Sequence, residues 1–304
     1  MPYGPYRVAF VILKENSKWI HHRKRRKDML TNLNKVLEYG EVHNCAIAGF
    51  NVFGYEDAKA VVQAAENLDM PVILMANKVA VAHMPVKILG GILTEAAKDA
   101  KVPVCVHLDH SDSLENIKKG IDAGFTSVML DASQKPYEEN KRMTKEVVEE
   151  AHKAGVSVES EIGSVGYSDS AAGVKTQYTE PEMAQEFAKE TGVDALAISI
   201  GNVHRMTTQT IHLQFDRLEK IKELVDVPLV LHGSSGIPDD EIVRAVRNGI
   251  RKVNIGTALR MVFGNTLRKE MENHKEEFDR IKLFGTCMEN VQRKAEEKMK
   301  LMGK

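Results

Sequence analysis

Eight short apolar runs alternating with longer amphipathic stretches predict an α/β protein, a closed (β/α)8 barrel with extra N- and C-terminal helices. The runs are apolar throughout instead of alternating, as strands of a parallel sheet covered on both faces should be. Almost every run also ends in a side chain that can bind a metal, carry a proton or donate an amide, and barrel enzymes carry their chemistry at that end.

Residues 1–28 contain an apolar stretch at 8–13 followed by a basic cluster, His21, His22, Arg23, Lys24, Arg25, Arg26 and Lys27. That order is the reverse of a secretory signal. We read it as a solvated, disordered extension ahead of one domain spanning 29–304. From Met29 the spacing of Leu30, Leu33, Val36 and Leu37 predicts a first helix. The strands then fall at 45–50, 71–75, 102–108, 127–130, 157–160, 195–200, 229–231 and 252–255. Helical segments lie between them at 57–67, 114–123, 144–153, 182–191, 215–225 and 239–248, several ending at Gly. A doubly wound open sheet would place a GxGxxG turn after its first strand, and residues 49–54 contain none. The Lys- and Glu-rich tail from 274 to 304, with Phe278, Ile281, Leu283, Val291 and Met299 at loose helical spacing, predicts helices outside the barrel or against another subunit.

Composition narrows the class of function. The chain has 304 residues, 43% hydrophobic and 28% charged, with 42 Lys and Arg against 43 Asp and Glu. A net charge of -1 gives no general attraction to nucleic acid or to a membrane surface. No apolar run approaches the roughly 20 residues that span a bilayer. Cys45, Cys105 and Cys287 form no CxxC pair, so they read as thiols without a role in a reducing, cytoplasmic setting.

At the predicted strand ends stand Asn51, Asp109 with His110, Asp131, Glu159 with Glu161, Asn202 with His204, His232 and Asn254. One histidine closing an apolar strand is usually structural. Three of them, His110, His204 and His232, joined by Asp131 on strand four and Glu159 and Glu161 on strand five, put three imidazoles on one divalent ion with a position left for substrate, as in a catalytic zinc site. His21, His22, His43, His83, His107, His152, His212 and His274 have no such company and read as structural. Phosphate is suggested by two turns, His232-Gly233-Ser234-Ser235-Gly236 before Pro238 and Asn254-Ile255-Gly256-Thr257 at the last strand, because loops seven and eight of barrels commonly hold that anion. Metal, phosphate and carboxylates together point to carbanion chemistry on a phosphosugar. The competing device is a Schiff-base lysine. Strands six and seven contain no Lys, and Lys252 is expected to face away from the site, so the metal route is favoured.

These motifs resemble the class II, metal-dependent ketose-bisphosphate aldolases, over residues 29–269. The likeness rests on Gly49-Phe50-Asn51, His107-Leu108-Asp109-His110, Asp131-Ala132-Ser133, Glu159-Ser160-Glu161-Ile162-Gly163, Gly201-Asn202-Val203-His204, the HGSSG run and residues 254–257. The resemblance implies one catalytic Zn2+ per subunit on His110, His204 and His232, with Glu161 holding the ion in an alternative position and room for a second divalent or monovalent cation. It implies that Asp109 handles the C4 hydroxyl proton, and that a mobile loop after Glu161, hinged at Gly163, Gly166 and Gly173, carries a carboxylate, here Asp169, to the proton on dihydroxyacetone phosphate. Asn51, Gly233, Ser235, Asn254 and Thr257 correspond to substrate and phosphate contacts, and Arg260 to the arginine on the distal phosphate. The implied reaction is reversible cleavage of fructose or tagatose 1,6-bisphosphate to dihydroxyacetone phosphate and glyceraldehyde 3-phosphate, in a cytoplasmic homodimer or homotetramer.

The sequence departs from the family pattern at four places. Arg205 follows the second metal histidine where Gly is usual, so that either its bulk closes the backbone's approach to phosphate or its charge replaces that contact; a Lys common just afterwards is missing from 206–209. Asp169 is one methylene shorter than the usual Glu, and Gly256 stands where fructose-bisphosphate enzymes often have Asp and tagatose-bisphosphate enzymes Ala. Two rival readings follow: a homologue that binds metal and phosphosugar without catalysis, and a metal-dependent hydrolase. The second would show HxH on its first strand, which residues 45–51 lack.

Overall fold

A computed structural model of the chain describes residues 29–168 and 176–303. Eight parallel strands close on themselves: β1 Ile47–Asn51, β2 Val72–Ala76, β3 Val104–Ser111, β4 Ser127–Leu130, β5 Ser157–Ile162, β6 Ala195–Ile198, β7 Leu229–Leu231 and β8 Ile250–Ile255. Each pairs with its successor, and β8 pairs with β1 through Lys252 beside Ile47 and Asn254 beside Gly49. Every strand residue is buried, which is why the runs read as continuously apolar.

The helix predicted from Met29 begins later. Leu30–Thr31 forms a two-residue parallel ladder with Val104 and Cys105 of β3, and α1, Leu33–His43, starts behind Asn32, whose side chain accepts from the Lys35 N–H. Helix α1 seals the bottom of the barrel. Its Leu33, Val36 and Leu37 pack with Ile47, Ile73, Cys105, Ala195, Ala197 and Val230, inward residues from five strands. Around the outside run α2 Tyr55–Leu68, α3 Lys78–His83, α4 Val86–Asp99, α5 Leu114–Asp122, α6 Tyr137–Lys153, α7 Pro181–Thr191, α8 Phe215–Leu224 and α9 Asp239–Arg247. Helices α3 and α4 are not among those the periodicity picks out, and α6 begins seven residues before its predicted start.

Two further helices, α10, Thr257–Asn273, and α11, Arg280–Met302, pack on each other, and α11 lies across α2. The tail predicted to hold helices from 274 onward forms one among the described residues, α11, and the helix it packs on, α10, precedes that segment. The C-terminal turn of α11 returns to the start of the sheet, where Met302 O accepts from the Ala46 N–H at 3.2 Å. Among the described residues no helix is long and apolar enough to cross a membrane. The three cysteines are buried and unpaired, and burial pushes the Cys105 thiol up to about 12.

Candidate active site

At the carboxyl end of the strands the site is built around β3. Consecutive strand residues face opposite sides, so Asp109 and His110 should diverge. The β3–β4 register shifts between Leu108 and Ser111, and His110 takes φ +54, which turns both side chains toward the barrel mouth. A cavity of about 160 Å³ opens there, lined by both residues and by His204.

The rings of His110, His204 and His232 converge, with centroids 4.8 to 5.8 Å apart. One nitrogen from each lies within 4.8 Å of the others, a donor set that fits a divalent ion. Asp131 and Glu161, expected among the ligands, are engaged differently. Asp131 Oδ2 sits 2.8 Å from His110 Nδ1 and fixes that ring, the role a carboxylate plays behind a metal-bound imidazole. Glu161 Oε2 lies 2.9 Å from His232 Nδ1, while its Oε1 accepts from the Val165 N–H. His232 Nε2 contacts Glu159 Oε1 at 2.9 Å, so both nitrogens of this ring face carboxylates.

The protonation states follow from these contacts. Burial opposes charge on His232, but Glu159 and Glu161 outweigh it and raise its pKa to about 10. A metal must therefore displace a proton and one carboxylate contact there. His110 is also raised: burial lowers it, and Asp109 and Asp131 more than compensate. His204 goes the opposite way, held neutral by burial and by the other two imidazoles; Tyr167 stacks on it at 4.8 Å. Asp109 is buried, which disfavours its charge, yet His110 and Lys252 bring its pKa below the usual carboxylate value. It is an ionised base beside the histidines.

The residues expected to bind substrate come together. Asn51, Arg205, Gly233, Ser235, Asn254, Gly256, Thr257 and Arg260 all line the same cavity. Asn51 Oδ1 is buried without a hydrogen-bond partner and is open to a donor. Gly233 has φ +62, and a Cβ there would lie 2.6 Å from Val203 O, so this turn requires glycine. Thr257 begins α10, whose cap Gly256 offers no side chain to the first N–H groups. Arg205 occupies a left-handed conformation at φ +60, where glycine would be unstrained, and its guanidinium lies 4.8 Å from the Tyr167 ring centroid. Arg260 lies 5.3 Å over Phe53. Asp169 and Gly173 lie outside the described residues.

Two expectations are corrected. Lys252 does not face away from the site: it points to the barrel axis, fully buried, with Nζ 2.7 Å from both Glu159 Oε2 and Asn254 Oδ1. The case against a Schiff base thus changes from orientation to pairing, since an ammonium held by a carboxylate is not a nucleophile. Asn202 is spent on structure, accepting from the Ile200 N–H and donating to His232 O. Sequence reasoning missed Asn77, Lys78 and Tyr167 in the cavity wall. The strand-end rule applied to β2 would have found the first two. Tyr167, on an irregular loop, gives no periodic signal.

A family model described as fructose-bisphosphate aldolase class-II matches residues 31–304. The chain is 38% identical over 277 residues to the fructose-bisphosphate aldolase of Giardia intestinalis, with 82% of this chain and 85% of that one covered. Its identity to the enzyme of that name from Geobacillus stearothermophilus is 37% over 280 residues, covering 90% and 97%. Among solved structures it is similar to the YdjI aldolase from Escherichia coli K12, at a TM-score of 0.80 and 36% identity, covering 90% of this chain and 98% of that one.

Proposed function

The chain belongs to the class-II fructose-bisphosphate aldolase family, and on that premise we propose that it reversibly cleaves fructose 1,6-bisphosphate to dihydroxyacetone phosphate and glyceraldehyde 3-phosphate. The observation that carries this reading is the meeting of three imidazoles and an ionised Asp109 beside a cavity lined by Arg205 and Arg260. His110, His204 and His232 would hold zinc, with Asp131 orienting the first and Glu161 yielding the last. Glu159 keeps its grip on His232 because Lys252 pins it from behind. A divalent ion bound there would supply Lewis acidity at the substrate ketone.

The chain's own groups do the rest. Asp109, ionised, accepts the C4 hydroxyl proton as the C3–C4 bond breaks, and returns it in the condensation direction. Asn51 Oδ1, lacking an internal partner, accepts a substrate hydroxyl. The N–H groups at the start of α10 and the Ser235 hydroxyl take one phosphate, and Arg205 and Arg260 supply charge for anionic groups. Asp169 is our candidate for the proton on dihydroxyacetone phosphate. Arg260 favours fructose 1,6-bisphosphate, and Gly256, beside the Asn51 side chain, leaves room for the tagatose epimer. We read the enzyme as one domain over residues 29–304, cytoplasmic, and a homodimer or homotetramer.

The test is a coupled cleavage assay on both bisphosphates before and after exhaustive chelation. Activity should vanish with the metal and return with zinc or cobalt. Cleavage that survives chelation and is trapped by borohydride would replace the metal mechanism with a Schiff base.

A further inference from the structure

Beneath the histidines a buried line of polar groups, Glu159 and Lys252 at its centre, leads away from the cavity and back to it. It runs from His232 Nε2 to Glu159 Oε1 at 2.9 Å, from Glu159 Oε2 to Lys252 Nζ at 2.7 Å, from Lys252 Nζ to Asn254 Oδ1 at 2.7 Å, and from Asn254 Nδ2 to Asp109 Oδ1 at 3.3 Å. Glu159, Lys252 and His232 are wholly inaccessible to solvent. Strand pairing does not call for a lysine here, since its ladder neighbours are Ile47 and Val230. As a device for stability alone, a buried ion pair is commonly matched or bettered by an apolar pair of similar volume. The pair therefore calls for another reason to be there.

Asn254 supplies that reason. The two ends of a carboxamide have nearly the same shape, so packing hardly distinguishes one orientation from its flip. An ammonium can only donate. With Lys252 Nζ against Oδ1, the amide is locked with its oxygen toward the lysine and its NH2 toward Asp109. At its other end the same ammonium neutralises Glu159, which can then accept from the His232 ring.

We propose that Lys252 is a positioning residue, orienting the Asn254 amide against Asp109 while holding Glu159 on His232, so that the proton carrier and the metal ligand are set by one rigid line. This rests on the aldolase reading above for the role of Asp109. Lys252 touches neither the cavity nor the substrate; it acts through Asn254.

The experiment uses the full-length, zinc-loaded enzyme and compares Lys252→Met, Asn254→Ala and their double variant. The charge-balanced pair Glu159→Gln with Lys252→Met stands in if the single lysine change fails to fold. Lys252→Met should retain its zinc and lose about 100-fold in kcat for fructose 1,6-bisphosphate cleavage, the scale of an ångström-sized misplacement. Its KM should stay within about threefold, because no substrate contact is removed. Adding Asn254→Ala should cost at most about twofold more in kcat, since the contact to Asp109 is already lost, while KM rises because Asn254 also lines the cavity. Crystal structures of the lysine variants should show the amide turned or withdrawn from Asp109. A zinc-loaded lysine variant with near-normal kcat overturns the proposal, as do losses that multiply in the double variant or an amide that stays in place. If the unmodified enzyme cleaves no ketose bisphosphate, the aldolase reading fails. The position of the amide in the crystal structures then decides the role of Lys252 by itself.

Discussion

At the scale of single residues the site is governed by proton ownership. Asp109 has its charge stabilised by His110 and Lys252 against the penalty of burial, the condition a general base requires. Asp109→Ala should keep its zinc and lose about 10²- to 10⁴-fold in cleavage, measured as kcat/KM. Near-normal turnover would remove Asp109 from the mechanism. His232 has the opposite need. Its pKa is raised to about 10, so without metal it is protonated through the neutral range and must shed a proton to ligate. Apparent zinc affinity should therefore fall by at least about tenfold for each unit the pH is lowered below neutrality, one proton being displaced from His232 and a further one from His110 once that ring is charged. Titration calorimetry in buffers of different ionisation enthalpy reads this directly, and a pH-independent affinity would contradict it. His110 and His232 were legible in the sequence because each closes an apolar run, and His204 because it stands on the loop directly after one. The orientation of Lys252 was not, because a lysine inside an apolar strand reads as an outward residue until its partner is known, and Glu159 lies on a strand far away in the chain.

At the scale of elements, legibility followed burial. The barrel strands were found within a few residues of their ends, since burial on both faces leaves little but apolar side chains. Helix α4 was lost for a local reason. Gly90 and Gly91 weaken its helical signal, yet at Gly90 a Cβ would lie 2.6 Å from Ala123 O, so the residue that obscures the helix is the one that lets it pack. The β3 irregularity at His110 was equally invisible, because no glycine marks it. The turn at Gly233 gives the test at this scale. Gly233→Ala combines a left-handed φ with a clash on Val203 O and should cost about 2–4 kcal/mol, read from the denaturant midpoint. Since Gly233 joins His232 to Ser234, catalysis should fall in the folded fraction too. An alanine variant of wild-type stability would mean that the turn relaxes freely.

For the whole molecule, the barrel interior is graded along its axis. α1 covers an apolar floor of Ile47, Ile73, Cys105, Ala195 and Val230. Above it lies a polar layer, the Glu159–Lys252 ion pair beside a His107 that burial keeps neutral, and above that the histidines and the cavity. Floor and site are separate in function, so Leu37→Ala should remove about 2–5 kcal/mol of stability while kcat per folded molecule stays near wild type. A loss of kcat with stability intact would show that the floor reaches the chemistry. The fold class was legible at this scale from the count of runs, whereas the grading was not, because it depends on which of two alternating faces each residue presents. One contact ties the architecture to its history. The N–H of Ala46, at the head of the sheet, is capped by Met302, which is synthesised some 250 residues later. A nascent chain can thus line up every stave before the hasp that fastens the first one has left the ribosome.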